Sequence, residues 1–192
     1  MGVIISSLLF QPPSPPTPLK SDLYFWLKTS LNSKIPAFYI QQPQARYSII
    51  YSHGNAEDLG SIYEYLLTLS KLLYVNILAY DYSGYGLGIT DKENIKNCIG
   101  PSEQNCYADI EAAYDHLTKV EGVSFDQIIL YGRSLGSGPA CYLAEKAKRQ
   151  NKPLAGVVLH SPFLSVCRIV LDMGFTFSTD IFPNASRIEN VG

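Results

Sequence analysis

Ser134 stands midway between two glycines in the run Gly132-Arg133-Ser134-Leu135-Gly136. This G-x-S-x-G spacing is that of a nucleophile elbow, a sharp turn from strand to helix that raises a serine hydroxyl toward an acyl carbon. The glycines belong to the requirement. Strand and helix backbones come so close at such a turn that side chains two residues either side of the serine would collide. Placed at the start of the following helix, Ser134 would also sit in the partial positive charge of its N-terminus, which favours developing negative charge. The implied chemistry is acyl transfer through an acyl-enzyme on Ser134. Such a reaction needs backbone N–H groups aimed at the oxyanion of its tetrahedral intermediate. His53-Gly54-Asn55, earlier in the chain, ends an apolar run and can present one. Asn55 and Leu135 are the two candidate donors. Read without the elbow, His53 and Gly54 would simply make a tight turn, and His53 itself reads as structural.

A serine hydroxyl is a weak nucleophile unless a histidine takes its proton and an acidic residue orients that histidine. For a serine on this kind of elbow, the partners follow in the order acid, then histidine. The one histidine after Ser134 is His160, and Asp172 and Asp180 come later still, the wrong order for the acid. His160 therefore reads as a strand-end residue, His116 as a surface residue on the preceding helix, and neither aspartate as catalytic. The expectation is a catalytically incomplete chain, lacking the acid and histidine of the triad.

The elements that must position Ser134 are legible from periodicity. Residues 48–52 (SIIYS), 75–80 (VNILAY), 127–131 (QIILY) and 154–159 (LAGVVL) read as buried strands. Between them lie helical patterns over residues 59–73, from Ser102 as N-cap through Tyr107, Ile110, Tyr114 and Leu117, and over residues 137–149. Strand and helix alternate, which predicts the α/β class with a doubly wound, mostly parallel sheet. Residues 89–100 are polar and longer than an ordinary connection, and read as a surface insertion. After residue 160 the pattern offers a helix near residues 163–173, a weakly patterned tail with Pro183 and no further strand. Residues 1–20 are an apolar start, which reads as a membrane-directing head or as a segment packed on the domain, followed by Gln11-Pro12-Pro13-Ser14-Pro15-Pro16-Thr17-Pro18, a spacer outside the core, since proline density favours an extended chain. Residues 21–192 form one partial domain.

Composition narrows the function classes. A 192-residue chain that is 46% hydrophobic can bury one sizeable core. A formal charge of -2 without basic clusters argues against nucleic acid. Four dispersed cysteines, Cys98, Cys106, Cys141 and Cys167, show no metal or redox spacing and fit reduced thiols. No apolar run reaches the length of a membrane span. No metal or organic cofactor is implied, and the oligomeric state is not legible.

Taken together, His53-Gly54-Asn55-Ala56-Glu57-Asp58, Tyr80-Asp81-Tyr82-Ser83-Gly84-Tyr85-Gly86, Pro101-Ser102-Glu103, Tyr107-Ala108-Asp109, Gly132 to Pro139, Leu159-His160-Ser161-Pro162-Phe163 and Phe182-Pro183-Asn184 resemble the alpha/beta-hydrolase domain-containing 17 family. The likeness runs from about Tyr39 onward. It implies an incomplete alpha/beta-hydrolase fold and a protein depalmitoylase, whose substrates would be S-acylated proteins met by peripheral contact at the cytoplasmic face of a membrane, or in the cytoplasm. Three departures accompany it. The family delivers its acid and histidine from strands beyond the Phe-Pro-Asn turn, residues 89–100 lengthen the path from Gly86 to Pro101, and the family's cysteine-rich, palmitoylated head is replaced. Here Met1-Gly2-Val3-Ile4-Ile5-Ser6 instead fits the pattern for myristoylation of Gly2. A broader esterase, lipase or peptidase-like activity, or a binding protein that keeps the elbow without a base, are the competing readings.

Overall fold

The computed structural model describes residues 9–97, 99–165 and 181–191. Six strands form one sheet: β1 (Phe25–Lys28), β2 (Lys34–Ile40), β3 (Ser48–Ser52), β4 (Asn76–Tyr80), β5 (Ile128–Arg133) and β6 (Gly156–His160), in the spatial order β1-β2-β4-β3-β5-β6. β4, β3, β5 and β6 run parallel, while β2 is antiparallel to both β1 and β4. The mostly parallel sheet is as predicted. The β1–β2 hairpin is an addition that the alternation of strands and helices did not announce.

Helix α1 (Leu59–Leu73) follows β3. Its N-cap Asp58 accepts from the Ser61 amide at 3.0 Å, and Ser61 Oγ accepts from the Asp58 amide at 3.0 Å, a reciprocal cap that sets where the helix begins. Leu59, Ile62 and Leu66 share one stripe and pack on Ile49, Tyr51, Ile77 and Ala79. Helices α3 (Glu103–Asp115) and α4 (Ser137–Arg149) cover the opposite face, where Ile110 and Leu143 meet Ile50, Leu78 and Leu130. Ile49 and Ile50 thus face opposite cores, the period of two expected of a strand buried on both sides. Ser102 caps α3 as predicted, its Oγ accepting from the Asn105 amide at 3.1 Å.

Three segments that periodicity left open are structured. Residues 89–100 lie mostly at the surface, as expected of an insertion, but a 3-10 turn (Gly86–Thr90) and the short α2 (Lys92–Lys96) fold back on β2, and buried Asn94 bonds the Lys34 amide and carbonyl at 3.0 and 2.7 Å and the Gly88 carbonyl at 3.0 Å. No residue of the proline run 11–18 is buried, but the Thr17 amide donates to Asp58 Oδ2 at 2.7 Å, and Phe10 ahead of the run packs into the core at 5% exposure. The tail is structured as well. Phe182 is fully buried, and α5 (Asn184–Glu189) docks on α4, with the Arg187 guanidinium over the stacked rings of Tyr107 and Tyr142.

The predicted helix near residues 163–173 falls largely outside the described residues, as do Gly2, Asp172 and Asp180. Residues 163–165 within it are not helical. Among the described residues no further strand follows β6, and no helix is long and apolar enough to cross a membrane.

Candidate active site

β3 and β5 are parallel neighbours, with Ser52 opposite Gly132, so the turns that leave their carboxyl ends emerge side by side. The chain leaves β3 toward β4 on one side and leaves β5 toward β6 on the other. This reversal makes their shared edge the switch point at which open α/β sheets hold their ligands.

The turn after β5 has the geometry of an elbow. Ser134 has φ of +48°, a left-handed backbone that a non-glycine residue adopts only under constraint, and it is exposed. The two glycines are sterically obligatory. A Cβ on Gly132 would lie 2.4 Å from the Gly136 carbonyl oxygen, and one on Gly136 would lie 2.0 Å from the Ser52 carbonyl oxygen. A 3-10 turn (Ser134–Gly136) leads directly into α4, and Ser137 Oγ donates to the Ser134 carbonyl at 2.6 Å while accepting from Asn184 Nδ2 at 3.0 Å. The elbow is thus braced by the chain returning through α5.

The turn after β3 carries Asn55 beside this elbow. Among the described residues the backbone amides of Asn55 and Leu135 have no protein acceptor, the state expected of donors kept for an oxyanion. Glu57 ties the two turns together. One of its carboxylate oxygens accepts from the Gly54 amide at 2.7 Å, and the other pairs with the Arg133 guanidinium. The residue before each candidate oxyanion turn is therefore held by one side chain. Neither Glu57 nor Arg133 was legible as a site residue, because their partnership crosses 76 positions of sequence, from Glu57 to Arg133.

Beneath the turn lies a buried polar group. His53 is fully buried among Tyr82 and Tyr85, its Nδ1 shares a hydrogen bond with the Gly54 carbonyl at 2.8 Å, and its Nε2 lies 3.4 Å from Asp81 Oδ1. Tyr82 donates to the His53 carbonyl at 2.6 Å. Burial raises the Asp81 carboxyl above its usual range, opposed by His53 and by the Leu59 amide. The structural reading of His53 holds.

His160 ends β6 opposite Arg133, and its Nδ1 shares a 3.0 Å hydrogen bond with the Tyr131 hydroxyl. It makes no hydrogen bond to Ser134, in keeping with a strand-end role. His116 is half-buried rather than a plain surface residue, stacked on Phe25 at 4.6 Å and 3.3 Å from Glu121. Among the described residues no side chain is hydrogen-bonded to Ser134 Oγ, and no group of His, Cys, Asp and Glu is arranged to hold a metal.

The chain's similarities agree with this geometry. The sequence pattern of the family described as alpha/beta hydrolase fold matches residues 47–186. Alpha/beta hydrolase domain-containing protein 17C of Mus musculus is 37% identical over 169 residues, covering 87% of this chain and 48% of its own length. Alpha/beta hydrolase domain-containing protein 17B of Homo sapiens is 36% identical, covering 87% of this chain and 54% of its own. The chain spans about half the length of these curated relatives. In fold it is similar to the crystal structure of an alpha-beta hydrolase from Vibrio vulnificus, with a TM-score of 0.64 at 20% identity over 88% of this chain and 55% of that one. A bacterial heroin esterase matches at a TM-score of 0.59 and 16% identity, over 99% of this chain and 58% of that one.

Proposed function

The chain belongs to the alpha/beta-hydrolase family, and on that premise we propose that it is the nucleophile-bearing part of a serine hydrolase that cleaves thioesters of S-acylated proteins. The observation that carries the reading is Ser134, exposed at φ of +48° at the carboxyl edge of β5, next to two backbone donors with no protein acceptor among the described residues. In the reaction Ser134 Oγ attacks the thioester carbon, the negative charge forms on the former carbonyl oxygen within reach of the Asn55 and Leu135 amides, and the carbon–sulfur bond breaks as the cysteine sulfur leaves. Water then attacks the ester on Ser134, releasing the fatty acid and restoring the hydroxyl. The proton lost by Ser134 must pass to a base and on to the leaving sulfur.

The preference for S-acylated proteins is supported by likeness to the alpha/beta hydrolase domain-containing 17 proteins and by an apolar start with a myristoylation pattern at Gly2. One myristoyl chain binds membranes only marginally, so Val3, Ile4, Ile5 and Leu8 would add apolar contact at the cytoplasmic face of a membrane. A second reading, a binding protein that keeps the fold without turnover, is favoured by one observation: no described side chain is hydrogen-bonded to Ser134 Oγ.

Hydrolysis of palmitoyl-thioester and matched oxygen-ester substrates by the chain and by Ser134→Ala separates these. The depalmitoylase reading expects thioester turnover that Ser134→Ala abolishes. Equal preference for the oxygen ester points to a general esterase; no turnover with Ser134 still labelled by a fluorophosphonate marks a nucleophile without its base, and no turnover without labelling leaves the binding protein.

A further inference from the structure

The oxyanion turn is held by a segment that lies outside the sheet and far away in sequence. Asn55 Nδ2 donates to the Leu9 carbonyl at 2.6 Å. Asn55 Oδ1 accepts from the Gln11 amide at 2.9 Å and from the Tyr85 hydroxyl at 2.6 Å. Both ends of one carboxamide are thus bonded to peptide groups two residues apart, which mimics the pairing of one strand with another. The residue between them, Phe10, turns inward. It is 5% exposed, lies edge-on to Phe182 with ring centres 6.4 Å apart, and belongs to the same apolar cluster as Tyr82, Tyr85 and Leu135.

The geometry has a consequence for the backbone of Asn55. Its carboxamide is held by three hydrogen bonds, to Leu9, Gln11 and Tyr85, which restrict how far its Cα, and with it the N–H, can shift. A donor that stabilises an oxyanion works by being aimed in advance, and small displacements of such groups cost large factors in rate. Ordinary packing of an amino-terminal segment would not need an asparagine at the very residue that carries the donor.

We propose that Leu9–Gln11 is a positioning clasp for the oxyanion turn, with Phe10 as its anchor and Asn55 as the residue it aims. The proposal rests on the reading of Ser134 as nucleophile and Asn55 as donor, and it adds a link between the amino-terminal segment and the site. A pull on the chain ahead of Leu9 is transmitted through one side chain to the oxyanion donor.

The test uses the whole chain and a fluorophosphonate probe that phosphonylates Ser134, with rate and final stoichiometry recorded separately. In parallel, hydrogen exchange of the Asn55 side-chain amide is followed in protein labelled with 15N-asparagine. The clasp expects slow exchange at Asn55 in the native chain and fast exchange in Phe10→Ala. It also expects Phe10→Ala to label about tenfold or more slowly while reaching the same stoichiometry, because folded molecules remain but the donor is misaimed. Phe10→Leu, which keeps an apolar anchor, restores most of the rate. Should Phe10→Ala not fold, Asn55→Asp replaces the Nδ2 donor by a carboxylate oxygen facing the Leu9 carbonyl and is expected to slow labelling in the same way. Native-rate labelling in the folded variant, or fast exchange at Asn55 in the native chain, overturns the clasp. If the native chain takes no probe, the nucleophile reading fails and the positioning role fails with it, an outcome distinct from native-rate labelling in Phe10→Ala, which overturns the clasp alone.

Discussion

Ser134 holds a backbone conformation that costs about 1–3 kcal/mol for a non-glycine residue, and the surrounding residues show what maintains it. The Ser137 hydroxyl grips its carbonyl, and Gly136 lies against the Ser52 carbonyl so closely that no side chain fits. The turn after β4 is held by a buried group, Asp109, whose carboxylate accepts from the Ser83 amide and hydroxyl, each at 2.7 Å. Burial raises its pKa from 3.8 to about 7, outweighing those two hydrogen bonds, which favour the ionised form. A raised carboxyl binds its proton more tightly folded than unfolded. Its contribution to stability is therefore fully present below about pH 4 and is lost as pH rises through about 7. Asp109→Asn, which stays neutral throughout, is expected to flatten the fall in unfolding free energy between those limits, as measured by urea titration at a series of pH values. An unchanged slope would remove Asp109 as its source.

At the scale of elements, the segment between Gly86 and Pro101 shows where periodicity fails as a guide. Its polar residues gave no helical or strand pattern, yet Asn94 is buried and binds backbone groups of Lys34 in β2 and of Gly88. A single asparagine thereby attaches α2 to the sheet. Asn94→Ala leaves those buried backbone groups short of a partner, and a loss of about 1–3 kcal/mol is expected in chemical denaturation. Faster amide exchange should be confined to the 3-10 turn, α2 and the start of β2. Exchange that rises evenly over the whole sheet would mean that the segment is not a local attachment. The same lesson applies to α5, whose six residues carry too weak a pattern to be recognised but hold Arg187 against two stacked tyrosines.

For the molecule as a whole, the β6 edge of the sheet bears on association. β6 pairs only with β5 among the described strands, and its Val158 is 42% exposed. An unpaired edge with apolar side chains is a template for another strand. The 192-residue chain is accordingly expected to associate with rising concentration, and Val158→Lys to weaken that association, as read by sedimentation velocity. A chain that stays monomeric across the range would show that this edge is protected.

The sequence by itself determined the parallel strands, the three long helices, the elbow at Gly132 to Gly136 and the candidate donors Asn55 and Leu135, because each rests on contacts or steric demands within a few neighbouring residues. Helix α1 matches its predicted span, and so does α4. The strand bounds shifted by one or two residues where turns absorbed the ends: Val75 donates to the Ser70 carbonyl rather than opening β4, and Gln127 closes a 3-10 turn before β5. Only the tertiary structure decided which distant groups meet. Glu57 with Arg133, Asn55 with Leu9 and Gln11, and Asn94 with Lys34 are polar pairings between elements, and such pairings leave no period in the chain, since each depends on where the completed sheet places two otherwise unrelated turns.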